Sequence, residues 1–379
     1  MMSARSWSGR GTLSNPDGRF EAQRRGPMDA DAWDWASEDD ERRPRTTVGV
    51  DEARSVISTN DSPDVPFERS VNPYRGCEHG CIYCFARPSH AFLGLSSGLD
   101  FETKLFAKPR AAELLRDELA RPSYRCEALA LGANTDPYQP VERHERITRA
   151  ILEVLVETRH PVGIVTKSRG VLRDRDLLLD LARERLAHVY VSVTTLDPEL
   201  ARRLEPRASS PARRLDTIES LAVAGVPVGV LVSPLIPGLN DHEIERILAA
   251  ARARGASRAG SLLVRLPHEV RELFVEWLGQ HYPERRERVL ALIRECVNGT
   301  SSRSGPHGER LYNPEFGVRM RGVGPYAALL RQRFELARAR LGFEREPYAF
   351  DVTRFRRPER RASPPPPGAD AKRQLPLFR

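Results

Sequence analysis

The sequence predicts an α/β fold, a parallel sheet covered by helices, and three observations support it. Short apolar runs, nearly free of charge, recur at residues 128–131, 162–166, 189–194, 228–233 and 261–266. Each is followed by a stretch with helical amphipathic spacing. Uninterrupted apolar strands that alternate with amphipathic helices belong to a sheet buried on both faces. The 379 residues also suffice for one catalytic domain of roughly 250 residues with extensions at both ends.

Taken in order, residues 1–60 are rich in Arg, Asp, Glu, Ser, Gly and Pro, with few apolar anchors such as Trp33 and Trp35. That composition predicts a disordered or loosely docked extension. A first strand is expected at 69–74, followed by an irregular connection at 90–106. A helix starts near Pro109, and Ala111, Leu114, Leu115 and Leu119 form its apolar face. Residues 141–158 read as one helix, with Ile147, Ala150, Ile151, Val154 and Leu155 at i, i+3, i+4, i+7 and i+8 spacing. Further helices are expected at 173–185 and 210–224, and Asp241 is placed to cap one running to about 254. The next, 268–278, turns Val270, Leu273, Phe274 and Trp277 inward. The predicted barrel domain is 61–282, and a C-terminal helical extension follows at 283–353 with helices at 283–296 and 327–341. From 354 to 379 the chain is basic and then Pro-rich, as an extended linker is.

The formal charge is +8, a weak pointer to nucleic acid. Of 60 basic residues only Lys104, Lys108, Lys167 and Lys372 are lysine, so the arginine excess reflects genome composition at least as much as phosphate recognition. Lysine and arginine are not equivalent at a tight site, which singles out the rare lysines. Five cysteines, three of them clustered, are no disulfide framework, and a reduced cytoplasm fits. The N-terminus has no apolar signal region. Residues 221–239 are long enough to span a bilayer, but Gly225, Pro227, Gly229, Pro234, Pro237 and Gly238 punctuate them. They read as a helix end, a strand and a loop, and the expectation is a soluble protein with no membrane partner.

The chemistry concentrates at Cys77, Cys81 and Cys84, spaced C-x3-C-x2-C. Three thiolates on one short loop form a metal site, because soft sulfur ligands select zinc, Cu(I) or iron–sulfur centres. A closed zinc site or a fully ligated iron–sulfur cubane takes four ligands. Three cysteines therefore leave one iron of a cubane open, or else a zinc knuckle borrows His79 or His90. His79, crowded between cysteines, suits a loop-shaping residue better than a ligand.

With the aromatic Tyr83 directly before the last cysteine, this motif resembles the signature of radical S-adenosylmethionine (SAM) enzymes. The wider string from Asn72 to Pro88, Asn-Pro-Tyr-Arg-Gly-Cys-Glu-His-Gly-Cys-Ile-Tyr-Cys-Phe-Ala-Arg-Pro, is similar to the branch related to spore photoproduct lyase. The resemblance spans roughly residues 69–343. It implies that the six strand–helix units form a partial (β/α)6 barrel. It implies two cofactors, a 4Fe–4S cluster on Cys77, Cys81 and Cys84 and SAM on the open iron, and a reductant such as flavodoxin or ferredoxin.

In parallel α/β barrels chemistry gathers at the C-terminal strand ends. The second strand ends in Gly132-Ala133-Asn134-Thr135-Asp136-Pro137-Tyr138-Gln139. By position the resemblance places Asn134 near the SAM amino group, although Gly-Ala-Asn departs from the family's Gly-Gly-Glu-like element. Asp136 and Gln139 either face substrate or build an Asx-turn. Lys167 and Ser192, after the third strand and in the fourth, match residues that hold SAM in the lyases. The resemblance also gives Tyr83 a SAM contact, and lets Glu205 with a nearby arginine meet its ribose and carboxylate. A surface lysine, β-propensity and a solvated helix face are the structural alternatives. No residue is assigned as catalytic. Cys126 and Cys296 sit in no recognisable hydrogen-donor motif and read as packing residues.

Three functions are open at this stage. The first is a radical SAM enzyme acting on nucleic acid, of the DNA-repair type. The second is the same chemistry on RNA, protein or a small metabolite. The third is a zinc-binding adaptor. The terminal peptide Gln374, Leu375, Pro376, Leu377, Phe378 is similar to peptides that replication and repair proteins insert into the sliding clamp, which would make the clamp a partner.

Overall fold

The structure, a computed structural model, describes residues 7–20, 44–299 and 310–359. Trp33, Trp35 and the peptide 374–378 lie outside the described residues. The chain begins with β1 (Thr47–Val50), β2 (Ile57–Thr59), β3 (Arg69–Val71) and β4 (Tyr74–Arg75). Then come α1 (Leu99–Thr103), β5 (Lys104–Ala107) and α2 (Ala111–Leu119). The repeating part follows as β6 (Leu129–Leu131), α3 (Glu142–Glu145), α4 (Ile147–Glu157), β7 (Val162–Thr166), α5 (Arg175–Arg183) and β8 (Ala187–Ser192). It continues through α6 (Pro198–Leu204), α7 (Pro211–Val223), β9 (Val228–Leu235), α8 (Ile244–Ala253) and β10 (Arg258–Leu263). Helices α9 (Glu269–His281), α10 (Arg286–Asn298) and α11 (Gly324–Arg340) close the described chain.

The principal sheet has the order β10-β9-β8-β7-β6-β3-β2. From β3 to β10 every neighbouring pair is parallel, and β2 adds one antiparallel edge. Six parallel strands with helices between them, open at β10, make the expected partial (β/α)6 barrel. One face of each apolar strand run is fully buried, with Val162, Ile164, Val189, Val191, Val228 and Val230 at 0–1% exposure, while Gly163, Val165 and Leu231 between them are half-buried. That burial is why these segments carry almost no charge. Residues 221–239 resolve into the end of α7, a turn and β9. Among the described residues no helix is long and apolar enough to cross a membrane.

A second core lies under the cysteine loop. Val270, Leu273, Phe274 and Trp277 of α9 pack with Leu200, Leu204, Ile82 and Tyr83. The inward face read from α9 is the face that supports the loop.

Four expectations need correction. The described parts of residues 1–60 are firmly docked. Thr12 and Leu13 are buried, the amides of Gly11 and Thr12 donate to the Glu102 carboxylate at 2.9 and 3.0 Å, and β1 pairs with β5. The helix expected at 141–158 is broken at Arg146, whose φ is 53°. The Glu142 carboxylate causes the break: it accepts the Thr148 amide at 3.1 Å and the Tyr74 hydroxyl, turning the first residues away from α4. Asp241 does not cap α8; it takes the Gly238 amide at 2.9 Å and the Tyr326 hydroxyl at 2.5 Å. The tail also starts later than expected. Phe355 packs on Tyr124 and His160 with ring centroids 5.6 and 5.4 Å apart, and the Arg356 amide donates to Thr158 O at 2.7 Å.

The N-terminal end of β8 carries a pH liability. His188 is 1% exposed, and neither ring nitrogen has a hydrogen-bond partner. It lies between the rings of Tyr190 and Tyr348, 4.5 and 4.9 Å away. Burial, helped by Arg258, pulls its pKa down to about 3. The unfolded chain takes the proton near pH 6.5, while the buried ring refuses it until about pH 3. Acid therefore favours unfolding across that window, by roughly 1.4 kcal/mol per pH unit from this one group. His188→Phe, which keeps the ring packing and removes the titration, should flatten the fall in melting temperature between pH 6.5 and 4. An unchanged slope would show that His188 is not the group responsible.

Candidate active site at the barrel mouth

The cysteine loop connects β4 to the 3-10 turn that starts at Arg87. Gly76 and Gly80 hold φ of 76° and 65°, and a Cβ on Gly80 would lie 2.7 Å from the Glu102 carboxylate. Arg87, 0% exposed, donates to Cys81 O at 2.9 Å, Gly80 O at 3.2 Å, Ser97 O at 3.1 Å, Gly98 O at 3.0 Å and Glu102 Oε1 at 2.5 Å. Gln139 braces the other side: its amide donates to Gly76 O at 3.1 Å and its oxygen accepts the Glu78 amide at 2.9 Å. The loop is thus fixed through its backbone, which leaves the three cysteine side chains to point elsewhere.

They point into one cavity of about 260 Å³ at the C-terminal strand ends, and Tyr83, Asn134, Lys167 and Ser192 line it too. Burial pushes the Cys77, Cys81 and Cys84 thiols above their usual pKa. Three thiolates in this mainly apolar space would need a strong positive centre to remain charged, and a multi-iron cluster is such a centre. The Asn134 backbone amide donates to Asn72 Oδ1 at 3.1 Å, while its side-chain carboxamide and the Ser192 hydroxyl make no hydrogen bond among the described residues. They offer donors and acceptors to a polar cofactor lying over the thiols, so the donor set fits a cluster with SAM beside it.

Lys167 reaches in with Nζ 3.3 Å from Ser233 O and 5.8 Å from the Tyr83 ring centre. Burial pulls its ammonium down to about 8. Glu205 is placed differently from expectation. It does not line the cavity; it lies behind Tyr83, 2% exposed. Its carboxylate takes the Tyr83 hydroxyl, the Thr194 hydroxyl at 2.6 Å and the Arg214 guanidinium, with Lys167 Nζ 3.4 Å away. With its lone pairs engaged, Glu205 positions Tyr83 and Lys167 and is not itself available to SAM.

Asp136 builds the Asx-turn. Its Oδ1 accepts the Tyr138 amide at 2.9 Å and the Thr166 hydroxyl at 2.8 Å, and its Oδ2 accepts the Lys167 amide at 2.7 Å. Burial works to raise its pKa, but His79 and these hydrogen bonds outweigh burial and leave it low. His79 stands against it at 3.4 Å as a loop residue. Cys126 and Cys296 are outside the cavity lining, and burial lifts both thiols to about 12. Sequence reasoning missed Arg87 and Glu102. It also missed the mouth, where Arg265 stacks on Phe85 at 4.1 Å beside Phe67 and Met320.

A three-thiol loop at the strand-end mouth of an open parallel barrel defines a class of cluster-bearing enzyme. Residues 71–251 match the Radical SAM superfamily. An uncharacterized protein of Mycobacterium tuberculosis (strain ATCC 25618 / H37Rv) is 38% identical over 232 residues, covering 61% of this chain and 68% of the relative. The Radical SAM Nalpha-GlyT isomerase of Pseudomonas phage M6 is 25% identical over 233 residues, 60% of this chain and 46% of the relative. Spore photoproduct lyase complexed with dinucleoside spore photoproduct shares the fold at a TM-score of 0.53 and 15% identity, over 78% of this chain and 80% of that one. The chain belongs to the radical SAM superfamily, and its cofactors are a 4Fe–4S cluster and SAM. That membership replaces the zinc-adaptor alternative.

Proposed function

We propose that this enzyme performs hydrogen-atom abstraction on a nucleic-acid base, of the DNA-repair type. The observation that carries this reading is the mouth of the cavity. Phe85, 42% exposed and adjacent to Cys84, lies under the Arg265 guanidinium at 4.1 Å, next to Phe67, Leu262 and Met320. An exposed ring with a stacked arginine beside an apolar slot suits a flat, unstacked base, which gains from stacking on either group. A lyase of the same fold is named with a dinucleoside ligand, which accords with a substrate of that kind.

Cys77, Cys81 and Cys84 would hold the cluster, and Asn134, Lys167, Ser192 and Tyr83 would bind SAM. When bound, the reduced cluster and SAM supply a 5′-deoxyadenosyl radical that takes a hydrogen atom from substrate. The protein's part is to place and shield. Lys167 would offer a cation to an anionic group of the cofactor, and Glu205 and Thr194 hold Tyr83 and Lys167 in position. The apolar walls keep water from the reacting carbon.

Anaerobic reaction with SAM, a reductant and UV-irradiated DNA tests the reading. The expected result is 5′-deoxyadenosine together with an altered DNA product. Phe85→Ala should weaken DNA saturation by about 1–3 kcal/mol, the usual worth of one base–aromatic stack. If RNA, a peptide or a small molecule supports turnover while irradiated and plain DNA give no product, the substrate assignment is wrong.

A further inference from the structure

A second cavity, of about 350 Å³, opens on the other side of the cysteine loop, with His79 in the walls of both. Three connections build it: the loops at the C-terminal ends of β6 and β7, and the turn that joins α6 to α7. Four arginines converge there, Arg143, Arg169, Arg173 and Arg207, together with Ser168 and Ser209. We infer that this cavity is a phosphate subsite that grips the backbone of a nucleic-acid strand next to the cavity where its base reacts. The inference rests on the nucleic-acid reading above and deepens it.

The arginines divide into two kinds. Arg173 is a wall: it donates to Glu142 O at 2.8 Å, Glu142 Oε1 at 2.6 Å and Asp174 Oδ2 at 2.7 Å, so its donors are spent. Arg207 gives one nitrogen to Glu78 at 3.0 Å. Arg143 and Arg169 are exposed and make no ion pair among the described residues. Unpaired guanidinium groups beside hydroxyls, in a concave site, offer the forked donors a phosphate takes. The frame is rigid: the Arg169 amide donates to Ser209 Oγ at 2.9 Å, the Ser209 amide to Lys167 O at 3.3 Å and the Arg207 amide to His79 O at 3.3 Å. A concavity on the strand-end face suits a discrete tetrahedral anion on a flexible strand more than the broad acidic face of a folded protein.

The test uses the full, anaerobically reconstituted enzyme and a labelled single-stranded DNA of roughly 15 nucleotides. Binding is measured by anisotropy across a salt series for wild type, Arg143→Gln, Arg169→Gln and the double variant. Melting temperature and iron content check that the variants are folded and loaded. Loss of two phosphate contacts should lower the slope of log K against log salt by about 1.4, with roughly twofold to fivefold weaker binding per arginine at low salt. An unchanged slope and affinity in the double variant overturns the subsite, and so does failure of the wild type to bind the oligonucleotide. If the double variant loses binding to polyglutamate but keeps it for DNA, the cavity serves an acidic protein and the inference is wrong. The substrate reading is judged separately by DNA product formation, so either can fail alone.

Discussion

Cys81→Ala protein, purified without oxygen, is expected to carry little iron or sulfide and to form no 5′-deoxyadenosine from SAM; Cys77→Ala and Cys84→Ala should behave alike. The reason is ligand count. A cubane already short of one protein ligand cannot lose a second and stay anchored, since no other cysteine lines the cavity. Cys126 and Cys296, the other two cysteines, are free thiols set in packing environments elsewhere. Cys126→Ala is therefore the control, expected to keep the cluster and its visible absorption. Misfolding does not explain a loss in Cys81→Ala, because the loop is held by Arg87 and Gln139 through backbone groups that the substitution leaves alone. Circular dichroism of the apo forms should accordingly match. Normal iron in Cys81→Ala would refute the ligand assignment.

The parts of this molecule that could be read from sequence are those whose signal is local. Strands β7 and β9 announce themselves because one face is fully buried and the other at least partly so, which removes charge from five to eight consecutive positions. The inward face of α9 follows from spacing alone. The cysteine loop is legible because metal ligation fixes residue type and separation together. Lys167 and Ser192, matched by resemblance to residues that hold SAM in the lyases, both line the cavity.

What escaped detection depends on partners far apart in the chain. Glu205 reads as a carboxylate that, with a nearby arginine, meets the SAM ribose and carboxylate, but Tyr83, 122 residues earlier, and Arg214, 9 later, draw it inside. The N-terminal segment lacks an apolar pattern because polar groups dock it: the Gly11 and Thr12 amides on Glu102, the Arg10 guanidinium on Glu102 O, and the Ser14 and Asn15 side chains on Glu276 and Asp100. Arg146 ends a helical pattern that is otherwise sound, and the cause, Glu142, is itself held by Tyr74 from another strand. Arg87 sits inside the recognisable motif, yet nothing local separates a buried arginine from an exposed one in a chain this rich in arginine.

Arg87 gives the second large effect. Its guanidinium and the Glu102 carboxylate are both at 0% exposure and 2.5 Å apart. Truncating one partner of such a pair leaves a buried charge without compensation, which costs about 3–5 kcal/mol. Here the stranded group would be Glu102, although the Gly11 and Thr12 amides still reach it. The carbonyls of Gly80, Cys81, Ser97 and Gly98 would lose their donor in the same step. Arg87→Met, similar in length and uncharged, should therefore lower the melting temperature by on the order of 10 °C, at roughly 2–4 °C per kcal/mol for a domain of this size. Because two of those carbonyls belong to Gly80 and Cys81, iron retention should fall even at temperatures where the variant is folded. Glu102→Met should also destabilise, and the double variant should fall short of the sum of the two singles by about 0.5–3 kcal/mol, the usual coupling of contacting residues. Additive losses, or an Arg87→Met protein that melts like the wild type with a full cluster, would show that the loop is held by other contacts, Gln139 foremost among them.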